Sequence, residues 1–135
     1  MARAVILGTG CGAPDRVVTN KDLEAIMDTS DEWITQRTGI KERHWAVEGE
    51  KWSDFMAPAC QRALDDAGVA ADELDMIIAG TNSGDTLLPN AGCTLQSLLG
   101  AKKAAALEVG AACSGFILGL TIADRFIRLN PSLKV

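Results

Sequence analysis

The chain has 135 residues, 47% of them hydrophobic and 23% charged, which is the composition of an ordinary globular domain with a core of its own. Its formal net charge of -5 argues against a nucleic-acid or anionic-membrane partner, because both kinds of surface need clustered cations. No apolar run in the sequence reaches the roughly 18 residues of a membrane-spanning helix.

The chain begins with a short apolar run, Val5-Ile6-Leu7, that follows one arginine. A secretory signal peptide is one interpretation of Met1 and the residues after it, but glycines at 8, 10 and 12 interrupt the hydrophobic segment too soon. We therefore predict a buried strand over residues 3–10 and a cytoplasmic location. The glycine spacing differs from the dinucleotide-binding fingerprint, in which a helix follows the glycines directly.

Residues 17–50 are polar and contain two helix-start patterns. Thr19 precedes Asp22 by three residues and Thr29 precedes Glu32 by three, which is the spacing of a capping box. Short helices are predicted near 20–27 and 30–36, the second ended by Gly39, and a strand or hairpin is predicted up to residue 45. Because this excursion is long for a connector, we predict that it is a functional insertion.

Helices and strands alternate in the rest of the chain. The predicted elements are a helix capped by Ser53 that runs to Ala67 and is ended by Gly68, a strand over 75–81, a helix opened by Pro89 that runs to Leu99 and is ended by Gly100, a strand over 104–109 and a helix over 114–129. This order predicts the α/β class with parallel strand pairing. The last helix is apolar around most of its circumference, so we expect burial on most sides. Residues 132–135 are interpreted as the start of one more strand.

Four cysteines, at 11, 60, 93 and 113, are scattered without a C-x-x-C pair or a nearby histidine, so no metal site is predicted. Cys113 differs from the other three, because small residues surround it where a strand is predicted to meet a helix. Free N–H groups at a helix N-terminus favour a thiolate and can bind an oxyanion. From its position alone, the alternative is a cysteine packed in a small-residue turn.

Three sequence runs together resemble β-ketoacyl-acyl-carrier-protein synthase III. They are DTSDEWI at 28–34, RTGIKERH at 37–44 and AACSGF at 111–116. The resemblance covers essentially the whole chain. It implies the N-terminal half of a thiolase-like fold over 1–135, mostly a parallel sheet with helices around a buried central helix. It also implies truncation before the last two strands of that half and a coenzyme-A-binding insertion at about 17–50.

The resemblance implies an acyltransferase that initiates fatty acid biosynthesis. In that family a cysteine takes an acyl group, usually acetyl, from coenzyme A, and malonyl-acyl-carrier protein then loses carbon dioxide and attacks the acyl-cysteine. Cys113 matches the position of this nucleophile, and an activated thiol suits a covalent intermediate. No permanently bound cofactor is implied, since the coenzyme A thioester is a substrate.

The resemblance also assigns binding residues. Trp33 and Arg37 match residues that hold the nucleotide end of coenzyme A, and Thr29 matches a third contact. An indole can stack on adenine and a guanidinium can bind phosphate. The alternatives are a hydrophobic anchor for Trp33 and a solvated charge for Arg37. Leu88 matches a position that reaches across a homodimer interface into the acyl pocket of the partner, with packing at a helix start as the alternative.

The family forms homodimers partly through the strand edge that corresponds to residues 104–109. Its decarboxylating histidine and asparagine belong to its second half, and His44, the only histidine here, is interpreted as structural or surface-exposed. Each missing group is worth about 10²–10⁴-fold, so we expect this chain alone to be an inactive or partial fragment. An exposed apolar patch on the last helix and an open sheet edge are also expected.

Two alternatives stay open. The chain is a non-catalytic half-domain that binds acyl-CoA or associates with a full-length synthase, or it is part of a related thiolase-fold synthase of secondary metabolism. The run at 28–34 favours synthase III over the second alternative.

Overall fold

The computed structural model describes residues 3–135 and divides them into two units by their contacts. The core unit consists of residues 3–12 and Lys51–Val135, and the insertion unit of Ala13–Glu50. Met1 and Ala2, which belong to the predicted domain and to the signal-peptide interpretation, lie outside the described residues.

A pair of strands and two short helices make up the insertion unit. Its elements are β1 (Val17–Thr19), α1 (Asn20–Glu24), α2 (Asp31–Thr38) and β2 (Glu42–His44). The strands pair antiparallel with Val18 opposite Arg43, which confirms the predicted strand or hairpin. Val18, Leu23 and Ile34 form the small buried core of this unit.

One of the two predicted helix caps in the insertion unit is confirmed. The Thr19 side chain accepts a hydrogen bond from the Asp22 N–H, and the Asp22 carboxylate accepts one from the Thr19 N–H at 2.7 Å. The second prediction was wrong by one residue, because the N-cap of α2 is Ser30, whose Oγ accepts from the Trp33 N–H at 3.1 Å. Thr29 and Ser30 are both good capping residues, so the sequence alone allows two helix starts.

The core unit alternates helices and strands as predicted. Its elements are α3 (Trp52–Ala67), β3 (Met76–Ala79), α4 (Ala91–Leu99), β4 (Ala105–Glu108) and α5 (Gly115–Leu129), with short 3-10 turns at Ala71–Glu73 and Ala112–Ser114. β3 and β4 pair in parallel, which confirms the predicted pairing. The core lies between this sheet and the helices and is made of Ile77, Ala79, Ala91, Leu95, Ala101 and Ala104.

Glycines end α2, α3 and α4, as predicted. Gly39, Gly68 and Gly100 follow α2, α3 and α4 in the left-handed conformation, with φ of 73°, 63° and 70°. Without a Cβ, glycine adopts this conformation at no steric cost.

Two predicted helix starts in the core unit are wrong. Ser53 lies inside α3 and does not cap it; its N–H donates to the Asp85 carboxylate at 3.2 Å. Pro89 does not open α4, which begins at Ala91 with Asn90 as the N-cap, its Oδ1 accepting from the Cys93 N–H at 2.9 Å. At the start of α3 the free N–H is satisfied by Asp85, which lies farther along the chain. At the start of α4 it is satisfied by Asn90, which directly precedes the helix.

The predicted strand over residues 3–10 is also wrong within the described residues, since none of them pairs in a sheet. The segment lies along α3, and its glycines face the helix backbone. A Cβ on Gly10 would overlap the carbonyl oxygen of Ala59 and lie 2.7 Å from the Ala63 nitrogen. Two residues of an extended segment and four residues of a helix both span about 6 Å along the chain axis. Glycines at every second position of the segment therefore face every fourth residue of α3.

We expected α5 to be buried on most sides. That expectation is wrong within residues 3–135, where only Gly115 and Ala123 of this helix are buried. The predicted apolar patch is confirmed. We call it the α5 patch; it consists of the exposed side chains Phe116, Ile117, Leu118, Leu120, Phe126 and Leu129.

Residues 132–135 do not form a strand, although the Lys134 carbonyl accepts hydrogen bonds from the Asp75 and Met76 N–H groups at 2.9 and 3.2 Å beside the start of β3. None of the helices in residues 3–135 has the length and apolar character needed to cross a membrane.

Candidate active site

Cys113 lies in a tight connection between β4 and α5, which we call the cysteine turn (residues 110–115). The turn contains the 3-10 segment Ala112–Ser114, and α5 begins directly after it. The Cys113 side chain is exposed, and within residues 3–135 its thiol makes no hydrogen bond. The predicted placement of the cysteine just before a helix N-terminus is confirmed, and the thiol is open to an incoming molecule.

The backbone of the cysteine turn is strained at one residue. Ala112 has a φ of +44°, and it is the one non-glycine residue with positive φ among the described residues. A side chain with a Cβ makes this conformation cost about 1–3 kcal/mol, so surrounding contacts must maintain it. One of them is local: the Ser114 hydroxyl donates to the Ala111 carbonyl at 2.8 Å, and the Ser114 N–H donates to the same oxygen at 3.0 Å.

Two glycines let the start of α5 contact the end of β3. A Cβ on Gly80 would lie 3.1 Å from the Gly115 carbonyl carbon and 3.2 Å from its oxygen. Gly115 itself is buried. The small residues around Cys113 predicted a sharp turn with room for close approach, and Gly115 fits that prediction. The role of Gly80 was not predicted, because its partner lies 35 positions away along the printed sequence.

Asn82 also contacts the cysteine turn, and sequence reasoning missed it. Its Oδ1 accepts a hydrogen bond from the Ala112 N–H at 2.8 Å. Asn82 follows β3 and Cys113 follows β4, and the carboxyl ends of neighbouring parallel strands lie at the same edge of a sheet. A polar residue soon after β3 was therefore the available signal.

An acidic group beside this edge has a structural role. Glu108, the last residue of β4, accepts a hydrogen bond from the N–H of Ala91, the first residue of α4, at 2.8 Å. A carboxylate at a helix N-terminus satisfies a free N–H and interacts favourably with the helix dipole. Glu108 thus joins β4 to α4.

Thr29 and Trp33 lie together at the start of α2, and Arg37 lies one turn farther along the same helix. An open pocket of about 320 Å³ is lined by Asp28, Thr29, Ser30 and Trp33. The Arg37 guanidinium carbon lies 5.3 Å from the centre of the Trp33 indole, one helical turn along α2. Trp33 is 55% exposed and is not part of the buried core of this unit, which disfavours the hydrophobic-anchor interpretation.

A buried asparagine holds the start of α2 in place. Asn20 is 1% exposed, and its Nδ2 donates to Asp31 Oδ1 at 2.7 Å and to the Ile40 carbonyl at 2.8 Å. Arg43 Nη2 donates to Asn20 Oδ1 at 2.7 Å. The hydrogen bond from Asn20 holds the pKa of the Asp31 carboxyl below its usual value. Asn20 therefore connects both ends of α2 to β2 and fixes the helix that carries Trp33 and Arg37.

Leu88 lies in the loop before α4 and is 81% exposed, so the alternative of ordinary packing at a helix start is wrong within the described residues. His44 belongs to the insertion unit, where its Nδ1 donates to the Pro14 carbonyl at 2.5 Å. Within residues 3–135, no three His, Cys, Asp or Glu side chains form a group that could hold a metal ion.

Comparison with known proteins supports the sequence resemblance. No family model matches the chain. A β-ketoacyl-[acyl-carrier-protein] synthase III from Desulfotalea psychrophila is 48% identical over 131 residues, which are 97% of this chain and 40% of that protein. A 3-oxoacyl-[acyl-carrier-protein] synthase III structure from Aquifex aeolicus superposes with a TM-score of 0.87 at 48% identity, covering 92% of this chain and 40% of that one.

A priming β-ketosynthase from the R1128 polyketide biosynthetic pathway superposes with a TM-score of 0.85 at 34% identity, over 90% of this chain and 36% of that one. The chain thus spans about 40% of the length of the synthase III relatives. The resemblance to synthase III and the thiolase-like α/β fold class are confirmed over that span.

Proposed function

We propose that this chain accepts an acyl group from coenzyme A on Cys113, as the first step of a decarboxylative condensation with malonyl-acyl-carrier protein. The observation that carries the proposal is an exposed thiol on a strained turn at the N-terminus of α5, in a chain 48% identical to synthase III proteins. Acetyl-CoA is the acyl donor that we expect, and no permanently bound cofactor takes part.

The chemistry needs a thiol that is both accessible and stabilised as an anion. The Cys113 thiolate attacks the carbonyl carbon of the thioester, the carbon–sulfur bond to coenzyme A breaks, and the coenzyme A thiolate takes up a proton. The Ser114 N–H donates to the Ala111 carbonyl and the Gly115 N–H to the Ala112 carbonyl, so it is the positive end of the α5 dipole that can stabilise the developing oxyanion. Malonyl-acyl-carrier protein then releases carbon dioxide, and its carbanion displaces Cys113 from the acyl group.

We propose that the insertion unit binds the nucleotide end of coenzyme A. Trp33 offers an exposed indole face and Arg37 a forked cation beside it, which suits an adenine ring next to a phosphate. Thr29 lines the pocket next to Trp33 and can donate or accept a hydrogen bond there. The clustering of the three residues on one short helix and the loop before it supports this assignment.

We also propose for this chain the partners that the synthase III relatives imply. β4 pairs with β3 on one side, and no other strand among residues 3–135 pairs with it, so the edge at 104–109 is available for a homodimer. Leu88 is exposed, as a residue that reaches into a partner's acyl pocket must be. A cytoplasmic location, with no nucleic-acid or membrane partner, stays a prediction from the sequence.

Labelled acetyl-CoA tests the proposal against the non-catalytic alternative. The chain is incubated with it, with and without malonyl-acyl-carrier protein, beside the variants Cys113→Ala and Cys11→Ala. Cys11 is the matched control, since it is also exposed. We expect label on the wild type and on Cys11→Ala but not on Cys113→Ala. We also expect no condensed product from residues 1–135, whose one histidine is hydrogen-bonded to Pro14.

Absence of label from the wild type, or equal label on Cys113→Ala, would contradict acyl transfer to Cys113. A chain that binds coenzyme A without becoming labelled would instead be a non-catalytic binding half-domain. The synthase of secondary metabolism is the weaker alternative, because the run at 28–34 favours synthase III.

A further inference from the structure

Among residues 3–135, Asn82 is the one residue distant in sequence whose side chain hydrogen-bonds to the strained alanine of the cysteine turn. Its Oδ1 accepts from the Ala112 N–H at 2.8 Å across 30 positions of sequence, and Ala112 directly precedes Cys113. The second hydrogen-bonded contact of the turn, from Ser114 to the Ala111 carbonyl, is local. The strained residue is therefore held from outside the turn by a single side chain.

We propose that Asn82 is a positioning residue that fixes the Cys113 thiol in its reactive orientation by holding the Ala112 N–H. This inference rests on the proposed function of Cys113 as the acyl-accepting nucleophile. Asn82 contacts no substrate atom in this proposal and acts through the backbone alone.

The geometry of the turn explains why an outside contact is needed. An alanine at positive φ relaxes toward negative φ unless its neighbours prevent the rotation. A rotation at Ala112 turns the next residue, so it changes the direction of the Cys113 side chain. The hydrogen bond to Asn82 holds the peptide plane before Ala112, and the close contact of Gly115 with Gly80 holds the chain after Cys113, so together they oppose the relative rotation that would misdirect the thiol.

The amide of Asn82 also limits the other end of the turn. A Cβ on Gly110 would lie 3.4 Å from Asn82 Nδ2, so the side chain packs against the backbone where the turn begins. The Asn82 side chain thus contacts the turn at Gly110 and at Ala112, on either side of Ala111. Replacement by aspartate keeps the oxygen that accepts from Ala112, whereas replacement by alanine removes both contacts.

The reactivity of Cys113 toward iodoacetamide tests the inference independently of acyl transfer. Alkylation rates are measured by peptide mass spectrometry in the wild type, Asn82→Ala, Asn82→Asp and the matched control Ser83→Ala. Ser83 lies in the same loop, but its hydrogen bonds are to Thr81. Exposed Cys11 supplies the internal reference rate, and partly buried Cys60 reports unfolding in the same sample.

We expect Asn82→Ala to slow the alkylation of Cys113 about tenfold or more, with the Cys11 rate unchanged, since a thiol that keeps its exposed orientation in about a tenth of the molecules reacts about tenfold more slowly. On the high-pH plateau of the rate, where the added carboxylate does not change the ionised fraction of the thiol, Asn82→Asp keeps most of the rate and Ser83→Ala keeps all of it. Equal losses in Asn82→Ala and Asn82→Asp, or an unchanged Cys113 rate in Asn82→Ala, would overturn the inference. If labelled acetyl-CoA fails to acylate the wild type while these rates follow the expectation, the proposed function fails and the positioning role stands.

A glycine at position 112 provides a second measurement should Asn82→Ala expose Cys60. Glycine adopts positive φ without strain, so the turn no longer depends on Asn82. We expect Ala112→Gly combined with Asn82→Ala to lose less than tenfold in Cys113 reactivity relative to Ala112→Gly. A loss of tenfold or more in that background, with Cys60 still protected, would overturn the inference.

Discussion

Replacement of Asn20 by alanine removes the buried hydrogen bonds that hold α2 in the insertion unit. The side chain donates to Asp31 and to the Ile40 carbonyl and accepts from Arg43, each at 2.7 or 2.8 Å. A hydrogen bond to a charged group contributes about 1.5–3 kcal/mol and a neutral one about 0.5–1.5 kcal/mol. The Asp31 carboxylate and the Arg43 guanidinium reach water, which replaces part of the lost hydrogen bonding. We therefore expect Asn20→Ala to lower the free energy of unfolding by about 2–3 kcal/mol.

Hydrogen exchange measured by mass spectrometry tests the predicted destabilisation within the insertion unit itself. A loss of about 2–3 kcal/mol corresponds to roughly 30- to 150-fold faster exchange of the amides that the opening exposes. We expect this acceleration in peptides from residues 13–50 and little change in peptides from residues 91–109. Gln36→Ala is the matched control, because it removes one exposed side-chain hydrogen bond, to Glu32, from the same helix.

The same variant tests the proposed nucleotide site. Trp33 and Arg37 lie on the helix that Asn20 fixes, so coenzyme A affinity should fall together with exchange protection. Unchanged exchange over residues 13–50 in Asn20→Ala, or the same acceleration in Gln36→Ala, would refute the role assigned to Asn20.

Three further predictions follow from other parts of the chain. Gly10→Ala places a methyl group against the Ala59 carbonyl, so we expect an overpacking cost of about 1–3 kcal/mol in urea unfolding, and an unchanged midpoint would contradict the close packing of residues 3–12 on α3. Hydrogen bonds from the Thr19 side chain and backbone hold the pKa of Asp22 below its usual 3.8, so their stabilisation is present above about pH 4 and lost as pH falls through the lowered value. Thr19→Val should therefore destabilise the chain at about pH 6 more than at about pH 2.5, and a difference independent of pH would contradict this. Ile117→Gln puts a polar group into the α5 patch and should reduce concentration-dependent association in sedimentation velocity, whereas unchanged sedimentation would show that the patch does not drive association.

Local patterns predicted much of the fold. Glycines marked the ends of α2, α3 and α4 because each adopts the left-handed conformation that follows a helix. The order of helices and strands predicted the parallel pairing of β3 with β4, and the Thr19 capping box marked the start of α1. These features depend on residues within a few positions of one another, which is why a single sequence reveals them.

Features that depend on distant partners were missed or wrong. The apolar run at residues 5–7 predicts a strand, but a strand needs a neighbour, and within the described residues this segment packs along α3 instead. The apolar circumference of α5 predicts burial, yet burial also needs a covering layer, and most of the helix is exposed here. Both errors share one physical reason: a hydrophobic pattern shows which surface can be buried and not what buries it.

The candidate site divides in the same way. The sequence marked Cys113, Trp33 and Arg37 through the short runs that contain them, and the structure places Trp33 and Arg37 side by side. Asn20 and Asn82 were not marked, because their partners lie 11 to 30 positions away and a single asparagine leaves no local pattern.

Mass spectrometry of the acylated chain tests the central claim most directly. Cys11, Cys60 and Cys93 are replaced by serine, so that Cys113 is the one thiol left, and the chain is mixed with acetyl-CoA, digested and mapped. We predict an acetyl group on the peptide that contains Cys113, released by hydroxylamine as a thioester is. An unmodified Cys113 peptide from a folded chain that still binds coenzyme A would contradict it.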